Sequence, residues 1–361
     1  MEKYRVGIVG ATGMVGQRFI SLLKDHPWFE VNCVAASARS AGKTYREAVG
    51  ERWAFSWEIP EKVAGMTVVD AADIDEVSKH VDFVFCAVDM KKDEIRALEE
   101  AYAKHEIPVV SNNSACRGIE DVPMVVPEIN ADHLAVIEAQ KKRLGTKNGF
   151  IAVKPNCSIQ SYVPALTPLL DFEPEKVSVC TYQAISGAGK TFKTWPEMVD
   201  NVIPYIGGED EKSENEPLKL WGHVEEGRIV NAALPVISAQ CLRVACSDGH
   251  MAAVSVSFKK KPTIEQIKER WANYETEAQR LELPSAPKPF LQYFEDPSRP
   301  QTRLDRDFQN GFGVSIGRLR EDKLFDYRFV CLSHNTVRGA AGGGILTAEL
   351  LCRKGYIPHR V

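Results

Sequence analysis

The sequence lacks any stretch of about 20 uninterrupted apolar residues, the length a helix needs to cross a bilayer. From Met1 it passes almost directly into a β-rich run, without the apolar core of a secretion signal. It also lacks an excess of one charge: 45 lysines and arginines face 49 aspartates and glutamates, a formal net charge of -4 with a pI near 6.1. That balance gives no electrostatic ground for a nucleic-acid or membrane partner, so a small anionic substrate would have to be met by individual arginines. The nine cysteines are odd in number, include no Cys-x-x-Cys and show no Cys/His ligand spacing. This argues against a disulfide framework and a zinc site, predicts no bound metal, and points to a reducing, cytoplasmic compartment. Internal repeats and low-complexity tracts are missing as well. What remains is an ordinary composition in 361 residues, enough for two domains with a sizeable core each.

What is present begins with strand, glycine loop and helix in that order. Tyr4 to Val9 is β-rich, Gly10-Ala11-Thr12-Gly13-Met14-Val15-Gly16 follows, and Gln17 to Lys24 has helical apolar spacing. In this context a glycine motif reads as a dinucleotide pyrophosphate site, although the spacing is G-x-x-G-x-x-G; a tight turn with nothing bound is the alternative. The next strand, Glu30 to Ala36, runs into Ser37-Ala38-Arg39-Ser40, where an NAD site would carry an acid for the ribose. An arginine between serines suits a 2′-phosphate, so NADP is expected over NAD unless Arg39 and Lys43 are merely solvated. Apolar strands at Met66 to Val69, Val81 to Val88 and Pro108 to Ser111, with a helix near Lys91 to His105, predict an α/β doubly wound parallel sheet. Cys86, Ala87 and the loop Ser111 to Arg117 should then face the cofactor, with Arg117 either an anion clamp or a surface cation. Lys141 to Gly149 reads as a surface connection.

The organising stretch is Val153-Lys154-Pro155-Asn156-Cys157-Ser158-Ile159-Gln160. Cys157 follows Pro-Asn at a turn, ahead of an apolar run (Val163, Leu166, Leu169, Leu170) that predicts a helix whose N-terminus would favour a thiolate; a buried, inert thiol is the bland alternative. After the strand Lys176 to Ala184, the segment Ala184 to Thr191 comes within one residue of a P-loop, but a glycine turn against a nicotinamide fits better, with Gln183 directed at Cys157. Glu209 to Glu216 reads most simply as a solvated acidic loop, and Glu216-x-x-Lys219 could meet a zwitterion. Arg243 and His250 lie seven residues apart around Asp248-Gly249, able to bring a guanidinium for a carboxylate and an imidazole for a proton into one pocket, or His250 simply caps the strand Met251 to Phe258. Thr263 to Arg280 reads as one amphipathic helix. Gly311 to Gly317 and Asp326 to Leu332 read as antiparallel strands, and the glycine-rich Asn335 to Gly344 leads into a helix expected to return to the cofactor domain.

Through Gly10 to Gly16, Ser111 to Arg117, Pro155 to Ser158, Gln183, Ser186 to Gly189, Glu216-x-x-Lys219, Arg243 with His250, and Asn335 to Gly344, the chain resembles the aspartate-β-semialdehyde dehydrogenases of fungi and archaea almost end to end. The resemblance implies a Rossmann-type domain over 1–155, joined by the C-terminal helix 338–361, and an α+β catalytic and oligomerisation domain of the glyceraldehyde-phosphate-dehydrogenase-like type over 156–337. It implies Cys157 as nucleophile, His250 as acid and base, Gln183 as orienting group, Arg243 on the substrate carboxylate, Glu216 on its amino group, and Arg117 with Lys219 on phosphate. Thr12 to Val15, Ser37, Arg39, Ser40, Ser186, Gly187 and Asn335 are implied as NADP(H) contacts. The activity implied is NADPH-dependent reduction of aspartyl phosphate to aspartate semialdehyde and phosphate through a cysteine thioester, in a homodimer or homotetramer. Turn geometry adds the Cys157 N–H and Asn156 as oxyanion donors. A related acyl-phosphate reductase and a non-enzymatic NADP-binding redox sensor stand as alternatives.

Overall fold

Two sheets are built from the apolar runs, and the candidate cysteine lies on the chain between them. The structure is a computed structural model that describes residues 2–359; Met1, Arg360 and Val361, which fall within the expected ranges 1–155 and 338–361, lie outside the described residues. Six parallel strands, β1 (Tyr4–Val9), β2 (Phe29–Ala36), β3 (Val69–Asp70), β4 (Phe83–Cys86), β5 (Val109–Ser111) and β6 (Ile151–Val153), form a sheet of order β3-β2-β1-β4-β5-β6. This is the doubly wound order, which opens a crevice at the carboxyl ends of β1 and β4 where the winding reverses. The strands are short and buried on both faces, as continuous Val, Ile and Phe runs require. Phe19 stacks on Phe85 at 4.3 Å, and Phe83 meets Phe85 and Phe29 edge-on at 5.2 and 5.3 Å, fixing helix Met14–Leu23 to the sheet.

The second sheet has seven strands of mixed direction. Here β7 (Pro174–Gln183), β8 (Val202–Ile203), β11 (Val236–Val244), β12 (His250–Phe258), β13 (Leu291–Phe294), β14 (Val314–Glu321) and β15 (Tyr327–Ser333) run in the order β13-β14-β15-β12-β7-β11-β8. Strands β9 (His223–Glu225) and β10 (Arg228–Val230) form a separate hairpin. The register pairs Gln183 with Arg243 across β7 and β11 and Met251 with Tyr182 across β12 and β7, so the ends of three strands converge. His250 opens β12 at that convergence.

The C-terminal helix Gly342–Arg353 comes back to the first sheet, as its glycines require. A Cβ on Gly344 would lie 2.9 Å from the Phe19 ring, and Glu349 accepts hydrogen bonds from the Ser285 N–H at 3.0 Å and shares one with His26 at 2.9 Å. Just before it, the buried Arg338 is paired bidentately with the buried Glu128, which ties residues 128 and 338 together across the sequence.

Several expected elements differ. The run after Cys157 is not a helix from its first turn: residues 157–162 are turns, only Val163–Leu166 is α-helical, and Thr167–Phe172 tightens to 3₁₀. Pro164 and Pro168 cut the ladder, so no long helix dipole ends at the thiol. Met66 to Val69 shrinks to the edge pair Val69–Asp70. Lys141 to Gly149 is not all connection, because Ile137–Leu144 is a helix closed by Gly145 in the left-handed region. Thr263 to Arg280 is two helices, Ile264–Ala272 and Glu277–Arg280, each started by a threonine capping box.

The acidic run is the largest difference: Glu209 to Leu220 is a helix, not a solvated loop. Acidic residues fill its first turn, where they complement the dipole, and Glu209, Ser213, Pro217 and Leu220 point inward. Pro217 has no N–H to give to the carbonyl of Ser213, and the Tyr162 hydroxyl takes that place at 2.7 Å.

Candidate active site

The glycine loop meets its requirements at β1. Gly10 has φ +91°, and a Cβ there would stand 2.3 Å from the Ala87 carbonyl oxygen; one on Gly16 would stand 2.3 Å from the Gly10 carbonyl. Both contacts exclude a side chain, so backbone can approach a ligand closely at the start of helix Met14–Leu23. Gly10, Thr12, Gly13, Ser37, Arg39, Ser40 and Ala87 line one cavity of about 750 Å³ at the crevice between β1 and β4. Arg39 is exposed at the end of β2 and makes no ion pair among the described residues. Met14 lies outside this cavity, in a smaller one shared with Ser186, and Val15 packs on the core beside the helix. Cys86 does not face the crevice. Its thiol is 1% exposed, accepts from Asn113 Nδ2 at 3.3 Å, and is pushed well up by burial and the nearby Glu99.

On the other side, Ile185–Ala188 forms a 3₁₀ turn carrying Ser186 and Gly187. No helix follows Gly189-Lys190-Thr191, so the P-loop likeness has no structural counterpart. Asn335 joins this turn to β12, donating to Ser186 Oγ at 2.9 Å and accepting from the Gly249 N–H at 2.7 Å. A Cβ on Gly187 would sit 2.8 Å from Arg243 Nη1 and 3.0 Å from His250 Nε2, so only glycine fits above both.

Cys157 is half-buried, and its Sγ lies 3.4 Å from His250 Nε2. The Ala184 N–H donates to His250 Nδ1 at 3.0 Å, which leaves the proton of the neutral ring on Nε2, facing the sulfur. Burial first and the Arg243 charge second hold His250 well below its ordinary range, against the Gly249 backbone contact. Burial and Glu209 raise the Cys157 thiol, opposed by Lys154, Arg117 and Arg243. The expected helix-favoured thiolate is therefore not what the fold provides: the thiol and imidazole rest neutral, and charge must come from their neighbours.

Glu209 is the buried hub of those neighbours. It accepts from Asn156 Nδ2 at 3.0 Å, Gln183 Nε2 at 3.2 Å and Lys212 Nζ at 2.7 Å. Burial alone would raise its carboxyl, but Lys212 and these bonds hold it below the usual range. Gln183 thus reaches Asn156 through Glu209. One N–H of the Asn156 amide is shared between the two Glu209 oxygens, each 3.0 Å away, and its Oδ1 accepts from the Ser158 N–H at 2.7 Å, so it braces the turn and keeps a second N–H for an oxyanion.

Arg117 pairs with Glu216 at 2.9 Å, and Glu216 also accepts from the Asn156 N–H at 2.5 Å. This pair borders a cavity of about 830 Å³. Lys219 differs from its expected part. Its three ammonium protons go to the carbonyls of Arg117, Ile119 and Val122 at 2.7, 2.7 and 3.0 Å, so it braces the Arg117 loop and has no N–H left for phosphate. Arg243 is buried, gives Nη1 to the Ala184 carbonyl at 2.7 Å and forms no ion pair among the described residues. No group of three or more metal-ligating side chains occurs among the described residues, and no helix there is long and apolar enough to cross a membrane.

Known proteins resolve what this assembly is. Residues 5–137 match the family model described as semialdehyde dehydrogenase, NAD binding domain, and residues 166–338 match semialdehyde dehydrogenase, dimerisation domain. The chain is 45% identical to the aspartate-semialdehyde dehydrogenase of Schizosaccharomyces pombe, covering 98% of this chain and 99% of the relative. It is 43% identical to that of Archaeoglobus fulgidus, over 98% and 100%. The chain belongs to the aspartate-semialdehyde dehydrogenase family. The crystal structure of the Candida albicans aspartate-semialdehyde dehydrogenase with NADP superposes with a TM-score of 0.88 at 39% identity, covering 99% of this chain and all of that one. The fold is that of the family: a parallel nucleotide-binding sheet joined to a mixed dimerisation sheet.

Within that family fold, three contributors escaped the sequence reading. Glu209 was hidden by its acidic neighbours, though Gly208 followed by three acids and Lys212 is a helix-start signal. The Ala184 N–H fixes the imidazole tautomer, and backbone carries no sequence signal for this. Lys154 is buried beside the cysteine, with its Nζ on the Pro155 carbonyl.

Proposed function

We propose that the chain catalyses NADPH-dependent reductive dephosphorylation of aspartyl phosphate to aspartate semialdehyde, in the biosynthesis of aspartate-family amino acids. The observation that carries the assignment to residues is the thiol of Cys157, 3.4 Å from His250 Nε2, with the turn at Gly187 lying against both His250 and Arg243. The glycine cradle at Gly10 and Arg39, which makes no ion pair among the described residues, suit NADPH, which would supply the hydride when bound. Cys157 attacks the acyl carbon, the S–C bond forms as the S–H bond and the C–O bond to phosphate break, the proton leaving with the phosphate, and the thioester holds the acyl group. After reduction the thiohemiacetal oxyanion collapses, releasing the semialdehyde and the thiolate. The Cys157 N–H, the His250 Nε2–H and the Asn156 amide N–H not given to Glu209 are the donors offered to the oxyanion. Arg243 holds the substrate carboxylate, Glu216 its amino group, and Arg117 the phosphate.

A cofactor-binding unit of 1–155 with 338–361 and a catalytic unit of 156–337 follow from this division of labour, with Cys157 where they meet. Nine free cysteines favour a cytoplasmic setting. Leu242, Tyr182 and Met251 stand in one cross-strand row of the second sheet on a face the single chain leaves uncovered. A second copy suits that face, giving a homodimer or, by pairing of dimers, a homotetramer.

A panel of acyl phosphates tests the activity. NADPH oxidation is expected with β-aspartyl phosphate and phosphate release in equal amount; activity confined to a different acyl phosphate would assign the chain to a related reductase, and binding without turnover to a redox sensor. Arg39→Ala is expected to weaken NADPH by about 2 kcal/mol, roughly 30-fold, through the lost phosphate contact. NADH binding, measured by the same fluorescence titration, should change less than about twofold.

A further inference from the structure

The glycine loop leaves its helix open to an anion. Gly13 caps helix Met14–Leu23 without a side-chain bond, and no acid stands in the first turn, so unpaired N–H groups and the positive end of the dipole face outward. A loop that turns N–H groups toward a ligand must place its carbonyls elsewhere. Two buried side chains take them. The Tyr45 hydroxyl donates to the Ala11 carbonyl at 2.8 Å, and the Gln17 amide donates to the Thr12 carbonyl at 2.9 Å.

Gln17 is 2% exposed and has a second duty. Its other N–H goes to the Arg52 carbonyl at 3.1 Å, and its Oε1 accepts the Ala54 N–H at 2.8 Å, so both donors of the amide and its oxygen are committed. One side chain thereby joins the glycine loop to residues 52–54. The stretch beyond is fastened to the same helix, with the Arg18 guanidinium over the Phe55 ring at 4.2 Å and Trp57 Nε1 donating to Ser21 Oγ at 3.1 Å.

The segment held in this way carries a cation with no task assigned. Arg39, Lys43 and Arg52 border the cavity that Gly10, Thr12 and Gly13 line. Arg39 and Lys43 belong to the turn after β2, beside Ser37 and Ser40, where the 2′-phosphate is expected. Arg52 comes instead from the 3₁₀ turn Gly50–Arg52. Its guanidinium donates to the carbonyl of Ala48, which also lies on the cavity wall, and forms no ion pair among the described residues. Burial raises the Tyr45 hydroxyl, and the Arg52 charge is what opposes that rise, which sets the cation near the Ala11 carbonyl. NADP bears two separate anionic groups, a 2′-phosphate and a pyrophosphate, and the turn after β2 answers only the first.

We propose that Arg52 is a cofactor-binding cation for the pyrophosphate, and that Gln17 is the positioning residue that sets it beside the glycine loop. The two act as a unit, because the amide that turns the Thr12 carbonyl aside also holds the backbone of Arg52. The inference rests on this cavity taking NADP, but its test needs no acyl phosphate.

NADPH and NADH share the pyrophosphate and differ in the 2′-phosphate, so fluorescence titration of both at one ionic strength is the test. Arg52→Ala should weaken each about tenfold, whereas Arg39→Ala acts on NADPH. Arg52→Lys, which keeps the charge without the planar fork, should lose about threefold. Gln17→Leu should weaken both cofactors about tenfold, but less than about threefold more once Arg52 is alanine. Gln17→Met is the second variant should Gln17→Leu not hold its fold, and the thermal midpoint is the control. The competitor 2′-AMP, which has the 2′-phosphate and no pyrophosphate, should bind Arg52→Ala within about twofold of the wild type. An unmoved affinity in Arg52→Ala, a loss confined to NADPH and 2′-AMP, or full additivity of the two substitutions overturns the proposal. Absence of aspartyl phosphate turnover in a wild type whose NADPH affinity depends on Arg52 would defeat the proposed activity and leave this inference standing. Normal turnover with an affinity indifferent to Arg52 would do the reverse.

Discussion

Cys157→Ser is expected to lower the turnover of aspartyl phosphate by roughly 10⁴-fold or more, as removal of a covalent nucleophile does elsewhere. The hydroxyl is a far weaker acid than the thiol, so far less of the nucleophilic anion forms at neutral pH. Size and burial hardly change, since oxygen replaces sulfur at a half-buried position against Gly339. Fluorescence titration should therefore give an NADPH affinity within about twofold of the wild type. The expected pattern is loss of kcat with the cofactor site intact. A variant retaining near-normal kcat would reject the covalent route.

Arg243→Lys should lower kcat/KM for aspartyl phosphate roughly 100-fold, equivalent to about 2.7 kcal/mol, although the charge is kept. The guanidinium has Nη1 fixed on the Ala184 carbonyl at 2.7 Å, beside Gly187, and forms no ion pair among the described residues. A lysine that satisfied Ala184 would leave the substrate carboxylate a point charge at the wrong depth. Most of the loss should fall on KM if Arg243 only anchors the carboxylate. Steady-state kinetics separates the two constants, and a loss below about threefold would remove Arg243 from the substrate site.

The first sheet was legible because its strands are buried on both faces, so continuous Val, Ile and Phe runs mark them without ambiguity. Glycine spacing likewise disclosed the crevice, since Gly10 and Gly16 are demanded by contacts with Ala87 and Gly10 that any side chain would fill. Legibility failed where one residue type served two purposes. Glu209 looked like one more solvated acid, and Pro217 seemed to forbid a helix that Tyr162 in fact repairs. Lys219 carried the right charge three residues after Glu216, but its ammonium points at carbonyls, which only three-dimensional placement discloses. The reading of the thiol failed for a different reason. Prolines at 164 and 168 shorten the helix, and burial then outweighs any dipole, so the sulfur depends on surrounding cations.

Mass spectrometry of the protein mixed with aspartyl phosphate in the absence of cofactor tests the central claim most directly. Capture of the acyl group by sulfur predicts one aspartyl adduct per chain, released phosphate in equal amount, and a mapped peptide modified at Cys157. Adding NADPH should discharge that adduct as semialdehyde, and Cys157→Ser should form none. Phosphate release and NADPH oxidation by the wild type with no adduct on any sulfur would contradict the account.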